Sequence, residues 1–196
     1  MKKIEIIWGE ILFQAIEKRE HQFTQKDLAH QLQVSTSTIF QALKVPRRMG
    51  ALRVTGRFFT VSDAEKLLYH WASVRDLNRD ISFRGHVDLP ILEIEGLIPP
   101  EAIFGAYSAA RKILGEAPAD YDCVYIYLKN VDQLKKRFKF SKGRTNVIVL
   151  AQDPLMVRYG KVTSIAQTFV DLWNVSDWQA KDFTLALKEK IDGLLS

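Results

Sequence analysis

Hydrophobic positions in the first twenty residues recur with helical spacing. Ile4, Ile7, Trp8, Ile11, Leu12, Ala15 and Ile16 fall at i, i+3 and i+4 intervals, which lines them along one face of an amphipathic helix. The pattern gives way to the polar run "EKREHQ" and restarts at Thr24. A threonine oxygen there can accept from the free amides of a helix's first turn, Asp27 can reciprocate three residues later, and Phe23 can pack on Leu28. Leu28, Ala29 and Leu32 supply this second helix with a short core face. Ser35 repeats the device, with Val34 and Ile39 as its flanking apolar pair. Two short capped helices joined by "QVS" make a helix-turn-helix pattern.

In the third helix Ile39, Ala42 and Leu43 face inward, leaving Thr36, Ser37, Phe40, Gln41 and Lys44 on the opposite face. Hydroxyls, an amide, a cation and an aromatic ring are groups that meet phosphates, adenine edges and thymine methyls. The same set would also suit an ordinary solvated face. Pro46 cannot donate to the carbonyl of Ala42 and disfavours helical backbone at Val45, so the helix is expected to stop or kink near Lys44 or Val45. "PRRMG", with Arg47 and Arg48, then turns the chain into "ALRVTGRFFTV", two apolar, β-branched stretches around a glycine turn. A hairpin directly after a helix-turn-helix is a wing, and Arg53 and Arg57 lie on or beside its tip, where a wing meets the DNA backbone or minor groove. A fourth helix is expected to start with a Ser62–Glu65 capping box and to bury Leu67, Leu68, Trp71 and Ala72.

The rhythm changes near residue 80. Gly85, Pro90, Gly96, Pro99 and Pro100 interrupt short apolar pieces, which reads as a turn-rich boundary between residues 1–78 and 79–196. Past these breaks the elements alternate: "EAIFGAYSAARKIL" reads as a helix, "CVYIYL" as a strand, "VDQLKKRF" as a short helix and "NVIVLA" as a second buried strand. "LMVRYGKVTS" reads as a strand or hairpin. "IAQTFVDLWN" and "DWQAKDFTLALKEKIDGLL" read as helices, the last capped by Ser176 and Gln179. Such alternation favours an α/β layer. The expected fold is thus a two-domain α+β and α/β chain, an N-terminal winged helix-turn-helix followed by an α/β domain. Trp173 and Trp178 are expected in its core, the alternative being that they are exposed and serve a domain that only binds protein.

Charge sharpens the picture in the first half only. Residues 1–80 hold 13 Lys/Arg against 9 Asp/Glu, and the remainder 15 against 14. From Leu28 to Ser62 there is no acidic residue, while Lys44, Arg47, Arg48, Arg53 and Arg57 all fall there; a local positive field of this kind favours a polyanion such as double-stranded DNA. A lone cysteine, Cys123, rules out an internal disulfide framework and a multi-cysteine zinc site, and its apolar neighbours make it a buried small hydrophobe. No stretch approaches a membrane span and the N-terminus does not read as a signal peptide. No membrane partner and a cytoplasmic location are expected.

One constellation in the second half bears on catalysis. Asp120 and Asp122 lie two residues apart at the start of the "CVYIYL" strand, so both carboxylates would face one side, where a pair can hold Mg²⁺ for nucleotidyl transfer. They can equally be turn and strand-start residues. The order of Gly105–Ala106, some dozen residues, and Asp-x-Asp before a strand resembles the nucleotidyltransferase fold, although Gly105–Ala106 stands where that family carries Gly–Ser or Gly–Gly. The third strand aspartate of the family has no counterpart; Asp153, beside Pro154, reads as a loop residue. The expectation is a nucleotidyltransferase-like but non-catalytic domain needing no cofactor. The alternative is a Mg²⁺-dependent nucleotidyltransferase or nucleotide sensor.

Taken in order, "VSTSTIFQALKVPRRMGAL", "KLLYHWASVR", "IFGAYSAAR" and "AQTFVDLWNVSDWQAKDF" make nearly the whole chain resemble the AbiEi family, the antitoxins and transcriptional regulators of type IV toxin–antitoxin systems. The resemblance implies a winged helix that binds operator DNA, as a pair of copies on repeated half-sites, and antagonism of a partner toxin protein. Pro46 departs from many members.

Overall fold

Helix α1 (Lys3–Glu17) forms where the apolar rhythm places it, burying Ile7, Trp8, Ile11, Leu12, Ala15 and Ile16. It opens one of two units into which the chain, described over residues 1–196 by a computed structural model, divides: Met1–Arg75 with Ile191–Ser196, and Asp76–Lys190. The break therefore falls three residues before the expected 78/79 boundary, and the last six residues join the first unit. Helices combine with a three-stranded and a four-stranded sheet, a mixed α and β architecture.

In the first unit, α1 is followed by a two-residue strand β1 (Gln22–Phe23), α2 (Gln25–Gln31), α3 (Thr36–Arg48), β2 (Leu52–Thr55), β3 (Phe58–Val61) and α4 (Ala64–Val74). The strands are antiparallel in the order β1-β3-β2, and Phe23 of β1 stacks on Phe59 of β3 at 5.4 Å. Both expected caps are present. The Thr24 hydroxyl accepts from the Asp27 amide (3.0 Å) and donates to the Asp27 carboxylate (2.6 Å), and Ser35 accepts from the Thr38 amide (3.1 Å). Between α2 and α3 the chain reverses through Gln33, at a left-handed φ of 53°, with the Val34 amide donating to the Ala29 carbonyl (3.0 Å). The cap of α4 differs from expectation. Asp63, not Ser62, accepts from the Lys66 amide (2.9 Å), because the amides of Ser62 and Asp63 are both spent on the carbonyl of Ala51 (2.9 and 3.1 Å), which holds Ser62 outside the helix.

The main correction in this unit concerns Pro46. Helix α3 neither stops nor breaks at Lys44 but runs on to Arg48 with Pro46 inside it. A proline in a helix orphans the carbonyl four residues earlier, here that of Ala42. The indole N–H of Trp8, from α1, donates to that carbonyl at 2.8 Å within the core. The missing intrahelical bond is thus replaced by a tertiary one, and a buried acceptor that would cost about 1–3 kcal/mol unsatisfied is satisfied. Two buried carboxylates are similarly provided for. Glu5 accepts from the Trp71 indole (3.3 Å) and from Arg75 (3.4 Å), and Glu10 from Gln14 (2.8 Å) and Gln31 (2.7 Å); such partners are what make a buried charge tolerable.

The second unit is built on a sheet in the order β4-β7-β6-β5. The centre is β6 (Val124–Leu128) and β7 (Val147–Ala151), the two strands that the apolar runs predict, paired in parallel. The edges are antiparallel: β4 (Ile81–Gly85) on β7 and β5 (Ile103–Gly105) on β6. Val124, Ile126, Val147 and Val149 point to one face, where they pack with Ile94 of α5 (Ile91–Leu97), Leu134 of α7 (Asp132–Lys135) and Phe138. Tyr125 and Tyr127 alternate to the other face. There Tyr107, in α6 (Ala106–Leu114), meets Tyr125 and Phe183, the latter in α9 (Ala180–Leu195). The Tyr127 hydroxyl donates to buried Asp171 (2.5 Å) in α8 (Ile165–Trp173), and Gln167 donates to that hydroxyl (3.1 Å).

Several expectations fail here for local reasons. Residues 79–100 are not merely turns but contain β4 and α5. Gly85 closes β4 because a Cβ there would lie 2.5 Å from the Phe140 ring. "EAIFGAYSAARKIL" is a strand and then a helix: Gly105 ends β5 under the Tyr127 ring, and Ala106 starts α6 at a φ of 43°, a left-handed conformation costly for a residue with a Cβ. Residues 154–159 form a 3₁₀ helix capped by Asp153 (2.9 Å) rather than a strand. Helix α9 begins after Gln179, so Ser176 does not cap it. Trp173 and Trp178 are not core residues; they are 51% and 75% exposed.

Candidate nucleic-acid interface

Burial of Ile39, Ala42, Leu43 and Pro46 fixes which side of α3 faces solvent. Thr36, Ser37, Phe40, Gln41 and Lys44 are all exposed, as the periodicity predicts. Because α3 continues past Pro46, Arg47 and Arg48 sit in its last turn rather than in a connecting loop. Each lies seven residues, close to two helical turns, beyond Phe40 and Gln41 respectively, so the two arginines prolong the same face. The face is about one turn longer than expected. Lys44 places its ammonium 5.3 Å from the centre of the Phe40 ring, a contact that holds a long cation against an exposed aromatic. At the opposite end, the amides of the first turn give α3 a positive dipole end beside Thr36 and Ser37.

The hairpin adds a second cationic element. Register pairs Arg53 with Thr60 and Thr55 with Phe58, leaving Gly56–Arg57 as a two-residue turn. Gly56 has a φ of 59°, and a two-residue hairpin whose first central position takes positive φ favours glycine there. Arg57 is thereby set at the very tip. Alternation buries Phe59 and exposes Arg53 and Phe58. Phe58, 43% exposed beside Arg57, is a surface aromatic that the sequence reading passes over, although the same period of two marks it. None of Lys44, Arg47, Arg48, Arg53 and Arg57 is paired with a carboxylate.

The aspartate pair is placed otherwise than expected. Both residues precede β6, which starts only at Val124, so strand alternation does not align their carboxylates. Asp120 is exposed, whereas Asp122 pairs with Arg144 at 2.9 Å, and no cluster of three or more His, Cys, Asp or Glu side chains is arranged to hold a metal ion. A cation at Asp122 would have to displace the guanidinium. Asp120 and Asp122 therefore do not assemble a Mg²⁺ site.

Asp122 instead borders a cleft of about 340 Å³ within the second unit, together with Arg84, Arg144, Tyr125 and Asp177. Cys123 lies in its wall; burial, reinforced by the carboxylates of Asp122 and Asp177, pushes its thiol up to about 12, which leaves it protonated and unreactive at neutral pH. A separate cluster ties α5 to α6. Glu95 accepts from Arg111 and from the Tyr121 hydroxyl (2.7 Å), and Arg111 also donates to that hydroxyl (3.0 Å). Burial works against the Glu95 charge, but Ser108, Tyr121 and Arg111 outweigh it and hold the carboxyl below its ordinary range.

Compared with protein-family models, curated proteins and solved structures, the chain matches none of them. No helix is long and apolar enough to cross a membrane.

Proposed function

We propose that residues 1–75 act as a winged helix-turn-helix which binds double-stranded DNA sequence-specifically, and that the protein is a transcriptional regulator. The observation that carries this reading is the set of five unpaired cations on α3 and the β2–β3 hairpin, adjoining the exposed Thr36, Ser37, Phe40 and Gln41, in a segment with no acidic residue from Leu28 to Ser62. The α3 face offers groups for base edges, with Gln41 suited to adenine; the arginines offer charge to phosphates. Within this reading the resemblance to AbiEi antitoxins makes the protein a cytoplasmic regulator that works as a pair of copies and has a toxin protein as a second partner. Its second unit is then a nucleotidyltransferase-like domain retained without catalysis.

Mobility-shift titrations at two salt concentrations, on duplex DNA from upstream of the protein's own gene, test the DNA reading. Arg57→Ala should weaken binding across all sequences and lower the salt slope by about one, whereas Gln41→Ala should change base preference by about 1–3 kcal/mol at one position. Unchanged affinity and preference in both variants would sink the assignment.

A further inference from the structure

The cleft of the second unit holds two pairs of opposite charges in different states. Arg144 and Asp122 neutralise one another at 2.9 Å. Arg84 and Asp177 do not. Arg84 gives one N–H to the side-chain carbonyl of Asn78 (2.8 Å) and meets no carboxylate, which leaves most of its five donors free. Asp177 meets no lysine or arginine. The lining they share is mixed, with Ile81, Ile148 and Tyr125 as apolar members beside the polar Asn78, Thr145 and Asn174. Arg84 and Asp177 act with opposite sign on the same two buried groups, Cys123 and Tyr125, so the cleft wall between them feels both charges.

The Tyr107 hydroxyl is buried facing the Asp177 carboxylate, which it approaches short of a well-formed hydrogen bond. Burial first, then the carboxylates of Asp177 and Asp122, raise it far above its ordinary value, so it stays a neutral donor near the Asp177 side of the cleft. A recess with one cation and one anion that lack ion-pair partners, and a lining that is apolar at Ile81, Ile148 and Tyr125, is complementary to a molecule that carries both charges and a small apolar part. Its volume lies at the lower end for ligand pockets, about 300–1,000 Å³, which suits a small metabolite rather than a dinucleotide.

We infer that this cleft binds a free α-amino acid with an apolar or aromatic side chain, its carboxylate on Arg84, its ammonium on Asp177 and its side chain on Tyr125 and Ile148. All of these residues lie in the second unit, so the inference stands or falls separately from the DNA reading. It is tested by calorimetry and thermal shift on the full chain with leucine, isoleucine, valine, methionine, phenylalanine, tyrosine and tryptophan in turn. At least one should bind. For the amino acid that binds, the matching carboxylic acid without the amino group and the matching amine without the carboxylate should each bind about tenfold more weakly or worse. Arg84→Gln and Asp177→Asn should each cause a comparable loss while the circular-dichroism melt without ligand stays that of the native chain. No binding by any of the seven at millimolar concentration overturns the inference, as does binding that both truncated analogues or both variants retain. Adenosine monophosphate is included as a competing class; if it binds and the amino acids do not, the cleft is a nucleotide site and the inference is wrong. Should Asp177→Asn fail to fold, the analogue comparison on the unaltered protein still decides.

Discussion

The two units present charge in opposite ways. In the first, five cations project from a helix and a hairpin with no carboxylate to meet them, and the buried charges beneath are fully partnered: Glu5 with Arg75 and Trp71, Glu10 with two glutamines. In the second, charges of both signs gather in a recess whose lining is apolar only in part, at Ile81, Ile148 and Tyr125 among others. An outward array of one sign attracts a large polyanion and is screened by salt. A recess with both signs excludes bulk and selects by the arrangement of groups on a small molecule. The difference teaches that net charge, weakly positive for the whole chain, says little here; whether charges are paired and whether their surface is concave decide what each unit can bind.

The largest expected effect tests how the first unit's core compensates for Pro46. Trp8→Phe removes the donor to the Ala42 carbonyl and leaves a small void, and should cost about 2–4 kcal/mol in urea denaturation. Pro46→Ala restores a backbone N–H able to reach that carbonyl, so in the Trp8→Phe background it should return about 1 kcal/mol or more of the loss that it does not supply on its own. Strict additivity in this double-mutant cycle would show that the indole does not compensate for the proline.

Next in size is the second unit's own buried charge. Glu95→Gln should destabilise by about 1–3 kcal/mol, at the lower end of buried pairs because the Arg111 side chain is partly open to water. Since the folded carboxyl lies below its ordinary value, its contribution is complete above about pH 4.5 and is lost as pH falls through the folded value. Acid titration of unfolding should therefore show a smaller pH slope in that range for Glu95→Gln than for the unaltered chain.

Arg48→Ala sharpens the surface side of the comparison. On the proposed DNA reading, with α3 unbroken, this substitution should lower the salt slope of DNA binding by about one and leave the melting temperature unchanged; a full wild-type slope would place Arg48 off the proposed contact face. The smallest effect concerns His70, which packs edge-on against Trp8 at 4.7 Å and whose imidazole burial shifts below its ordinary 6.5. The unfolded chain takes up this proton first, so the stability His70 contributes is present above about pH 6.5 and declines as pH falls towards the folded value. The urea midpoint should drop on going from about pH 7.5 to about 5.5, and less so in His70→Phe.

Most of the first unit can be read from the sequence because its signals are local. Apolar spacing, the Thr24 and Ser35 caps and the Gly56 turn each act within a few residues, and all nine expected contact residues are exposed. What local reading misses is the reach of α3, since the group that rescues Pro46 stands 34 residues from the carbonyl it meets, on another helix. The second unit is less legible. Its central strands are buried on both faces and announce themselves as apolar runs, but β4, β5 and α5 have three to seven residues and are held by neighbours such as Phe140 and Tyr127 rather than by propensity. Its cleft draws Arg84, Asp122, Arg144 and Asp177 from four separate segments, and no spacing in the chain links them. Periodicity misplaces Trp173 and Trp178 for a related reason. A large apolar residue at helical spacing predicts a core, yet these two fall at the end of α8 and in the turn before α9, where the packed face has already run out.

The uneven placement of the tryptophans also equips the protein with its own optical probes. Trp8 and Trp71 are buried in the first unit, whereas in the second Trp178 is largely exposed and Trp173, stacked on Phe169, is about half exposed. Loss of structure in the first unit should move its indoles from an apolar to an aqueous setting and shift their emission to the red, while the second pair already emits at the long-wavelength end. Emission colour then follows one unit, and quenching by iodide before any denaturant is added follows the other, so the unfolding of each can be watched in the unlabelled chain.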